Sequence, residues 1–484
     1  MHAVPAAMAQ ARRFLAPVQR HPHAAVLVVA GLIGLALRLA LVIRIPPLFM
    51  QGDSQSFLTP GYDLARGAGF DPILKRPPGY PLFIAFALWA LGEDLRGLVA
   101  LQAALGLVTV ALACVLGRQL GGLVGAAVAG LSAAVAGQLL IYEHYVLAES
   151  VFTLLTIGAL AAGVAGVRGS VSWALVAGLL VGVAAQLRPI SLVLLPLALL
   201  IAVLAALPVR RRAWLVAAFV AGTAIAVLPG LGFSLARQGG SSASATGEVL
   251  LWRITRSESG YITRDDVRAA PPNTPRARVL ERAVERTLPQ EIYNDIRARF
   301  QLSPAEADAV LREVAVQAIL RQPLRYALST VRMTGELFLA DDQRLGDVSK
   351  RDGEARYPNY QSKQRSWFED RTLHLAPPPS ASVQAEFDVA ERLTGWSQSW
   401  RFMVLAAMLT IAWIGLAATG KVSFDRGAVF VLLGVLGTLV VNAALSGPEA
   451  RFRYPIDPAI AALAGLGTSA LIAVARPGRR LSGG

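Results

Sequence analysis

The residues of this chain best suited to chemistry lie where long apolar runs stop. Asp53, in Gly52-Asp53-Ser54-Gln55-Ser56-Phe57, follows the first such run by a few residues. A carboxylate there can cap a short helix reaching residue 68. It can equally accept a proton from a hydroxyl as a general base. Lys75 and Arg76 precede Pro77-Pro78-Gly79-Tyr80-Pro81. The prolines impose an extended approach, Gly79 allows a sharp turn, and two adjacent cations can hold a phosphate or anchor to lipid headgroups. Tyr142-Glu143-His144-Tyr145-Val146-Leu147-Ala148-Glu149-Ser150 puts two carboxylates and a histidine between two further runs. Glu143 and His144 together with Asp53 can bind a divalent metal, magnesium or manganese by the hardness of the oxygen ligands. Glu149 can instead complement the positive end of the helix it starts. Arg188-Pro189 and Glu449-Ala450-Arg451-Phe452-Arg453-Tyr454-Pro455 add arginines at two more run ends. A guanidinium fits phosphate oxygens in a bidentate fork, and anionic headgroups would satisfy it too.

The elements that must position these residues are membrane helices. Of the 484 residues, 54% are hydrophobic and 16% charged, against roughly 25% charged in soluble domains. Apolar runs at 24–44, 97–117, 122–141, 147–167, 172–187, 190–207, 213–235, 400–419, 427–446 and 456–475 each approach the length needed to cross about 30 Å of hydrocarbon. The stretch 79–91 is shorter and opens on prolines, so it reads as a re-entrant or surface helix. With the N-terminus cytoplasmic and 79–91 not crossing, Arg118, Arg168, Arg210, Arg211, Arg212, Lys421, Arg426, Arg476, Arg479 and Arg480 all fall inside, as the positive-inside rule requires. If 79–91 did cross, the triple arginine would face out and Asp53 would be separated from Glu143 and Glu149. The start, Arg12, Arg13 and Arg20 ahead of a long run containing Arg38, reads as a retained first helix and not as a cleaved signal peptide.

The expected organisation is a transmembrane module over 1–235 with a first outer loop at 45–96, an extracytoplasmic domain at 236–399, and closing transmembrane helices with a cytoplasmic tail at 400–484. In the outer domain, 304–320 and 323–339 have helical apolar spacing. The 239–247 stretch is Gly/Ser/Ala-rich and reads as flexible, and 376–382 as a Pro/Ser linker. The formal net charge of +14 is explained by run-end Lys and Arg, and no basic aromatic-bearing module suggests nucleic acid. A single cysteine, Cys114, excludes a disulfide framework. A transporter or lipid flippase would also explain spans with interfacial charges, but such proteins show repeats and polar residues at mid-membrane. Here the charges gather at one face.

Taken in order, Gly52-Asp53-Ser54, Arg76-Pro77-Pro78-Gly79-Tyr80-Pro81, Leu147-Ala148-Glu149-Ser150, Arg188-Pro189 and Glu449-Ala450-Arg451-Phe452-Arg453-Tyr454-Pro455 resemble the GT-C glycosyltransferase superfamily. The branch most similar is that of protein O-mannosyltransferases and aminoarabinose–lipid A transferases. The resemblance covers about 1–235 and 400–475. It implies an all-α polytopic membrane protein of GT-C type, with about 10–12 transmembrane helices and a small extracytoplasmic domain. It implies a polyprenyl-phosphate-linked sugar donor, an acceptor protein, glycolipid or polysaccharide, and an extracytoplasmic active site in the cell membrane, working by inverting single displacement. Asp53 would match the first-loop base, and Glu143 or Glu149 the second acidic position. Lys75 or Arg76 would match the cation before the prolines that meets the lipid phosphate. Arg451 and Arg453 would match the phosphate-side arginines, with Arg188 beside them. The second loop lacks an Asp-x-Asp pair, so the divalent metal expected of Asp53 and Glu143 has an incomplete ligand set.

Overall fold

The structure, a computed structural model, describes residues 21–44, 47–48, 51–69, 76–237, 246–340 and 399–475. Lys75, the 376–382 linker and all but the end of the 239–247 stretch lie outside the described residues. The described chain is helical, with one isolated bridge between Leu48 and Tyr145. The helices are α1 Pro22–Arg44, α2 Gln51–Ala65, α3 Gly79–Leu91, α4 Leu95–Ala134, α5 Gly137–Tyr142, α6 Glu149–Val167, α7 Val171–Leu187, α8 Leu197–Leu204 and α9 Val209–Arg237. They continue as α10 Thr246–Trp252, α11 Arg264–Ala269, α12 Pro275–Val284, α13 Pro289–Phe300, α14 Pro304–Arg321, α15 Pro323–Leu339, α16 Trp400–Ala418, α17 Arg426–Leu445 and α18 Asp457–Ala475.

Seven described helices are long and apolar enough to cross a membrane, and three apolar helices are shorter: α3, α7, and the Pro189–Leu204 segment that ends in α8. The 40-residue α4 is in fact a hairpin. At Gly121 and Gly122 the backbone leaves helical geometry, and Gly122 takes φ 62°, a conformation that costs glycine little. Residues 117 and 125 would be about 12 Å apart along a straight helix. Instead, a Cβ added at Gly117 would overlap the Gly125 carbonyl. The run at 97–117 is therefore one limb of this hairpin, and the run at 122–141 covers the other limb, ending at Ala134, together with most of α5.

Small residues let the helices approach closely, as packing between lipid-exposed helices favours. Gly178 and Gly182 of α7 rest on backbone of α9, and Gly465 of α18 meets Gly125. These contacts fix helix direction. The ends nearest Leu48, Gln102, Tyr145, Leu187 and Leu445 gather at one end of the bundle, called here the site end. The opposite end holds Arg118, Arg168, Arg210, Arg211, Arg212, Lys421 and Arg426. There Arg168 reaches the Gln119 carbonyl and Arg426 the Leu204 carbonyl.

Helix α3 begins and ends at the site end. Gly79 lies on the Gln186 backbone at the end of α7, and Gly97 at the start of α4 packs on Leu91. Residues 246–340 form a helical block with its own core, including Leu251, Ile254, Val279, Leu280, Ile292, Ile296 and Leu311. Prolines start α12, α13, α14 and α15, where a missing N–H is not needed. Ser303 and Glu306 form a capping box. The block docks on the site end of α17: Arg253 Nε donates to the Ala443 carbonyl at 2.9 Å and Ser257 Oγ to the Ser446 carbonyl at 3.1 Å. The helices read from sequence at 304–320 and 323–339 correspond to α14 and α15.

Candidate functional site

Asp53 lies in the first turn of α2. Its carboxylate pairs outward. One oxygen accepts from Arg76 Nη2, and the other accepts from Arg451 Nη1 at 3.0 Å. Arg451 belongs to a short 3₁₀ turn ahead of α18, so the pair joins the two ends of the chain. Arg76 is steadied by a bond from Nε to Ser56 Oγ at 3.1 Å and by the Phe57 ring, 5.3 Å from its Cζ. Asp53 and Arg76 are about a third exposed, Arg451 a fifth. Burial works against the Arg451 charge, but Glu449, Asp53 and Glu149 together hold its guanidinium above its ordinary value.

Beside this cluster is a second pair. Glu149 starts α6, as its sequence position suggested, and accepts from Arg188 Nη1 at 3.1 Å. Arg188 is the extended residue ending α7, held ahead of Pro189. Burial pulls its guanidinium below its ordinary value, Glu149 and Asp53 oppose that, and Arg451 and Arg76 add to it. All five side chains thus share one electrostatic neighbourhood. The Arg188 Cζ lies 5.7 Å from the Phe152 ring and 5.2 Å from the Phe452 ring, and the Arg451 Cζ lies 4.9 Å from that same Phe452 ring. Phe152 carried no signal of function in the sequence, and Phe452 carried one only as the residue between two motif arginines; their ring contacts with Arg188 and Arg451 single them out.

Other expected site residues go elsewhere. Glu143 is buried and accepts twice from Arg38, from Nη2 at 2.6 Å and Nε at 3.2 Å. Gly106 makes the room: a Cβ there would overlap the Glu143 carboxylate. Arg38 was read only as a charge inside the first run. Burial pushes the Glu143 carboxyl up, to about 7, although Arg38 opposes the shift. His144 is fully buried, with Nδ1 3.0 Å from the Leu140 carbonyl, and burial pushes its imidazole down to about 4. Arg453 is buried too. It binds Asp457 at 2.9 Å and the carbonyls of Phe338 and Ala340, tying α18 to the end of α15. In this arrangement Arg453 is engaged in holding the block to the bundle, not presented to the open cluster.

A divalent metal does not fit the donor set. Both Asp53 oxygens accept from guanidinium groups, Glu143 Oε1 is taken by Arg38, and among the described residues no three His, Cys, Asp or Glu side chains cluster. What the cluster offers is three arginines set among three carboxylates, Asp53, Glu149 and Glu449, with Asp53 the one bridged by two of those arginines. That combination can take a proton at Asp53 and hold an anion at the guanidinium edges.

No family model matches the chain, and no curated protein matches it. Among solved structures, the oligosaccharyltransferase AglB from Archaeoglobus fulgidus, in complex with an inhibitory peptide and a dolichol-phosphate, is similar with TM-score 0.47 at 12% identity over 96% of this chain and 53% of that one. The oligosaccharyltransferase of the same organism in complex with Zn and sulfate gives TM-score 0.43 at 12% identity over 93% and 50%. ArnT from Cupriavidus metallidurans bound to undecaprenyl phosphate gives TM-score 0.40 at 13% identity over 91% and 77%. The chain spans about half the length of the archaeal chains. At these values the likeness transfers no role from those proteins to any residue here.

Proposed function

We propose that this protein is a multi-pass membrane glycosyltransferase, moving a sugar from a polyprenyl-phosphate carrier to an acceptor hydroxyl at the site end of the bundle. One observation carries the reading: a half-open carboxylate, Asp53, is flanked by Arg76 and Arg451, which arrive from opposite ends of the chain. The order of motifs that resembles GT-C transferases runs through these same residues. The basic far end supports an extracytoplasmic site, since cytoplasmic loops carry the excess of Lys and Arg.

The chemistry follows from charge. Asp53 takes the proton of the acceptor hydroxyl. The acceptor oxygen forms a bond to the anomeric carbon from the side opposite the phosphate, and the bond from that carbon to the phosphate oxygen breaks. The electron pair leaves with the lipid phosphate, and Arg76, Arg188 and Arg451 stabilise the charge that builds there. The anomeric centre inverts, and no covalent enzyme intermediate is needed. The helical block over the site end is the surface on which a protein, glycolipid or polysaccharide acceptor would rest.

The test is transfer of radiolabel from several polyprenyl-phosphate sugars by the purified protein in lipid. Wild type should transfer label from at least one donor, and Asp53→Asn should lose about 10²–10⁴ of that rate, the range for a general base. Equal transfer by both proteins removes Asp53 from the reaction. Movement of the carrier across the bilayer without transfer would make the protein a flippase.

A further inference from the structure

Resting on the donor reading above, we infer that Phe452 is a positioning residue: its ring holds Arg188 and Arg451 as a two-guanidinium clamp for one lipid-borne phosphate. The contact distances are 5.2 Å from the ring to the Arg188 Cζ and 4.9 Å to the Arg451 Cζ. Phe152 supports Arg188 from a second ring.

The geometry of a guanidinium explains why a ring is used. The cation meets an aromatic ring through attraction to the ring's quadrupole. Its N–H donors lie in its own plane, pointing outward as a fork. A ring contact can therefore fix the position of the group without consuming donors, which a carboxylate contact cannot do. Arg188 shows the consequence. Among the described residues its hydrogen bond is from Nη1 to Glu149, which leaves further in-plane N–H donors for an anion although the side chain is only a fifth exposed. Glu149 pairs with Arg188 at 3.1 Å, and Asp53 and Glu449 pair with Arg451 at 3.0 and 2.6 Å, each pair occupying part of a guanidinium edge. Phe452, itself 9% exposed and packed into the bundle core, is the fixed body against which both arginines are held. Without the ring, each guanidinium would keep its carboxylate but lose the shared body that holds the two side by side, so their remaining donors would no longer converge on one phosphate.

The test is binding to the full chain in phosphatidylcholine nanodiscs, with three probes: undecaprenyl phosphate, its neutral alcohol undecaprenol, and phosphatidylglycerol. Phe452→Leu keeps an apolar side chain and removes the ring, while Phe452→Tyr keeps the ring. Undecaprenyl phosphate should bind Phe452→Leu about tenfold more weakly than wild type, the scale of a desolvated cation–π contact. Phe452→Tyr should bind within about threefold of wild type, and undecaprenol should bind all three proteins alike. A role in packing alone would weaken the alcohol as much as the phosphate, or Tyr as much as Leu, and either result overturns the clamp. If wild type binds undecaprenyl phosphate and Phe452→Leu binds it equally, the clamp falls and the donor reading stands. If wild type takes phosphatidylglycerol as readily and Phe452→Leu weakens both, the clamp stands as a general lipid-phosphate site and the donor reading falls.

Discussion

Two sets of arginine–carboxylate pairs sit within a few turns of each other at the site end, and they differ in exposure. In the open cluster, Arg76, Asp53 and Arg451 are 30%, 34% and 20% exposed. In the buried set, Arg38 and Glu143 are 3% and 2% exposed, and Arg453 and Asp457 are 0% and 5% exposed. A buried pair cannot exchange partners, because removing either member strands a charge in a medium that cannot solvate it. An open pair can give up its carboxylate contact when a phosphate arrives. The same residue types therefore serve as fastening in one place and as reactive surface in another, and exposure distinguishes them where residue type does not.

That contrast can be broken by mutation. The largest effect expected on the open side is Asp53→Asn, with about 10²–10⁴ lost in transfer and a smaller change in thermal unfolding than at the buried pairs, as befits a partly exposed group. Next is Arg451→Ala, which removes one donor to the developing phosphate charge. A loss of about 10²–10³ in transfer rate is expected, the scale of one missing oxyanion donor, again with the fold intact by circular dichroism. The buried side should behave in the opposite sense. Arg453→Met strands Asp457, and Arg38→Met strands Glu143. Each should destabilise the protein by about 3–5 kcal/mol, read as a lower midpoint of thermal unfolding in detergent, while the folded fraction keeps its transfer rate within a few-fold. The double change Arg38→Met with Glu143→Leu should regain much of that midpoint, since an apolar pair replaces the ions. If it does not, the pair has a role beyond fastening.

The smallest effect concerns pH. His144 has its imidazole pushed from 6.5 down to about 4 by burial, so the folded protein keeps it neutral while the unfolded chain takes up a proton below pH 6.5. Its contribution to stability is present above about 6.5 and is lost as pH falls toward 4. His144→Gln should flatten the fall in unfolding midpoint across that window and leave transfer at neutral pH near the wild-type rate. An unchanged acid slope would show that other groups govern it.

Much of this was legible in the sequence, because bilayer thickness is a strict ruler. The hairpin limbs of α4, the short α3 and the helices α14 and α15 follow from run length, charge at run ends and apolar spacing. Asp53, Arg76, Glu149, Arg188 and Arg451 were legible as polar groups at one face. What sequence could not supply was partner choice. Arg451 and Arg453 are two residues apart, yet the 3₁₀ turn between them sends one to Asp53 and the other to Asp457. Glu143 has the residue type and position of a metal ligand, but Gly106 and Arg38 enclose it. Phe452 was legible only as a member of the Arg451-Phe452-Arg453-Tyr454-Pro455 motif; its contact with two arginines was not, since an apolar residue beside a membrane needs no explanation. The pairings of Arg451 with Asp53 and of Arg38 with Glu143 are choices made by side-chain packing over long sequence separation, which neither periodicity nor spacing encodes.

The central claim is that Asp53 and Arg451, drawn together across nearly the whole chain, act on one reaction as a unit. A double-mutant cycle for transfer with Asp53→Asn and Arg451→Lys measures this directly. Residues working together lose less in combination than the product of their separate losses, so the double variant should transfer at close to the rate of the worse single variant. If the two losses simply multiply, or if neither change slows transfer, the two side chains do not form one catalytic centre.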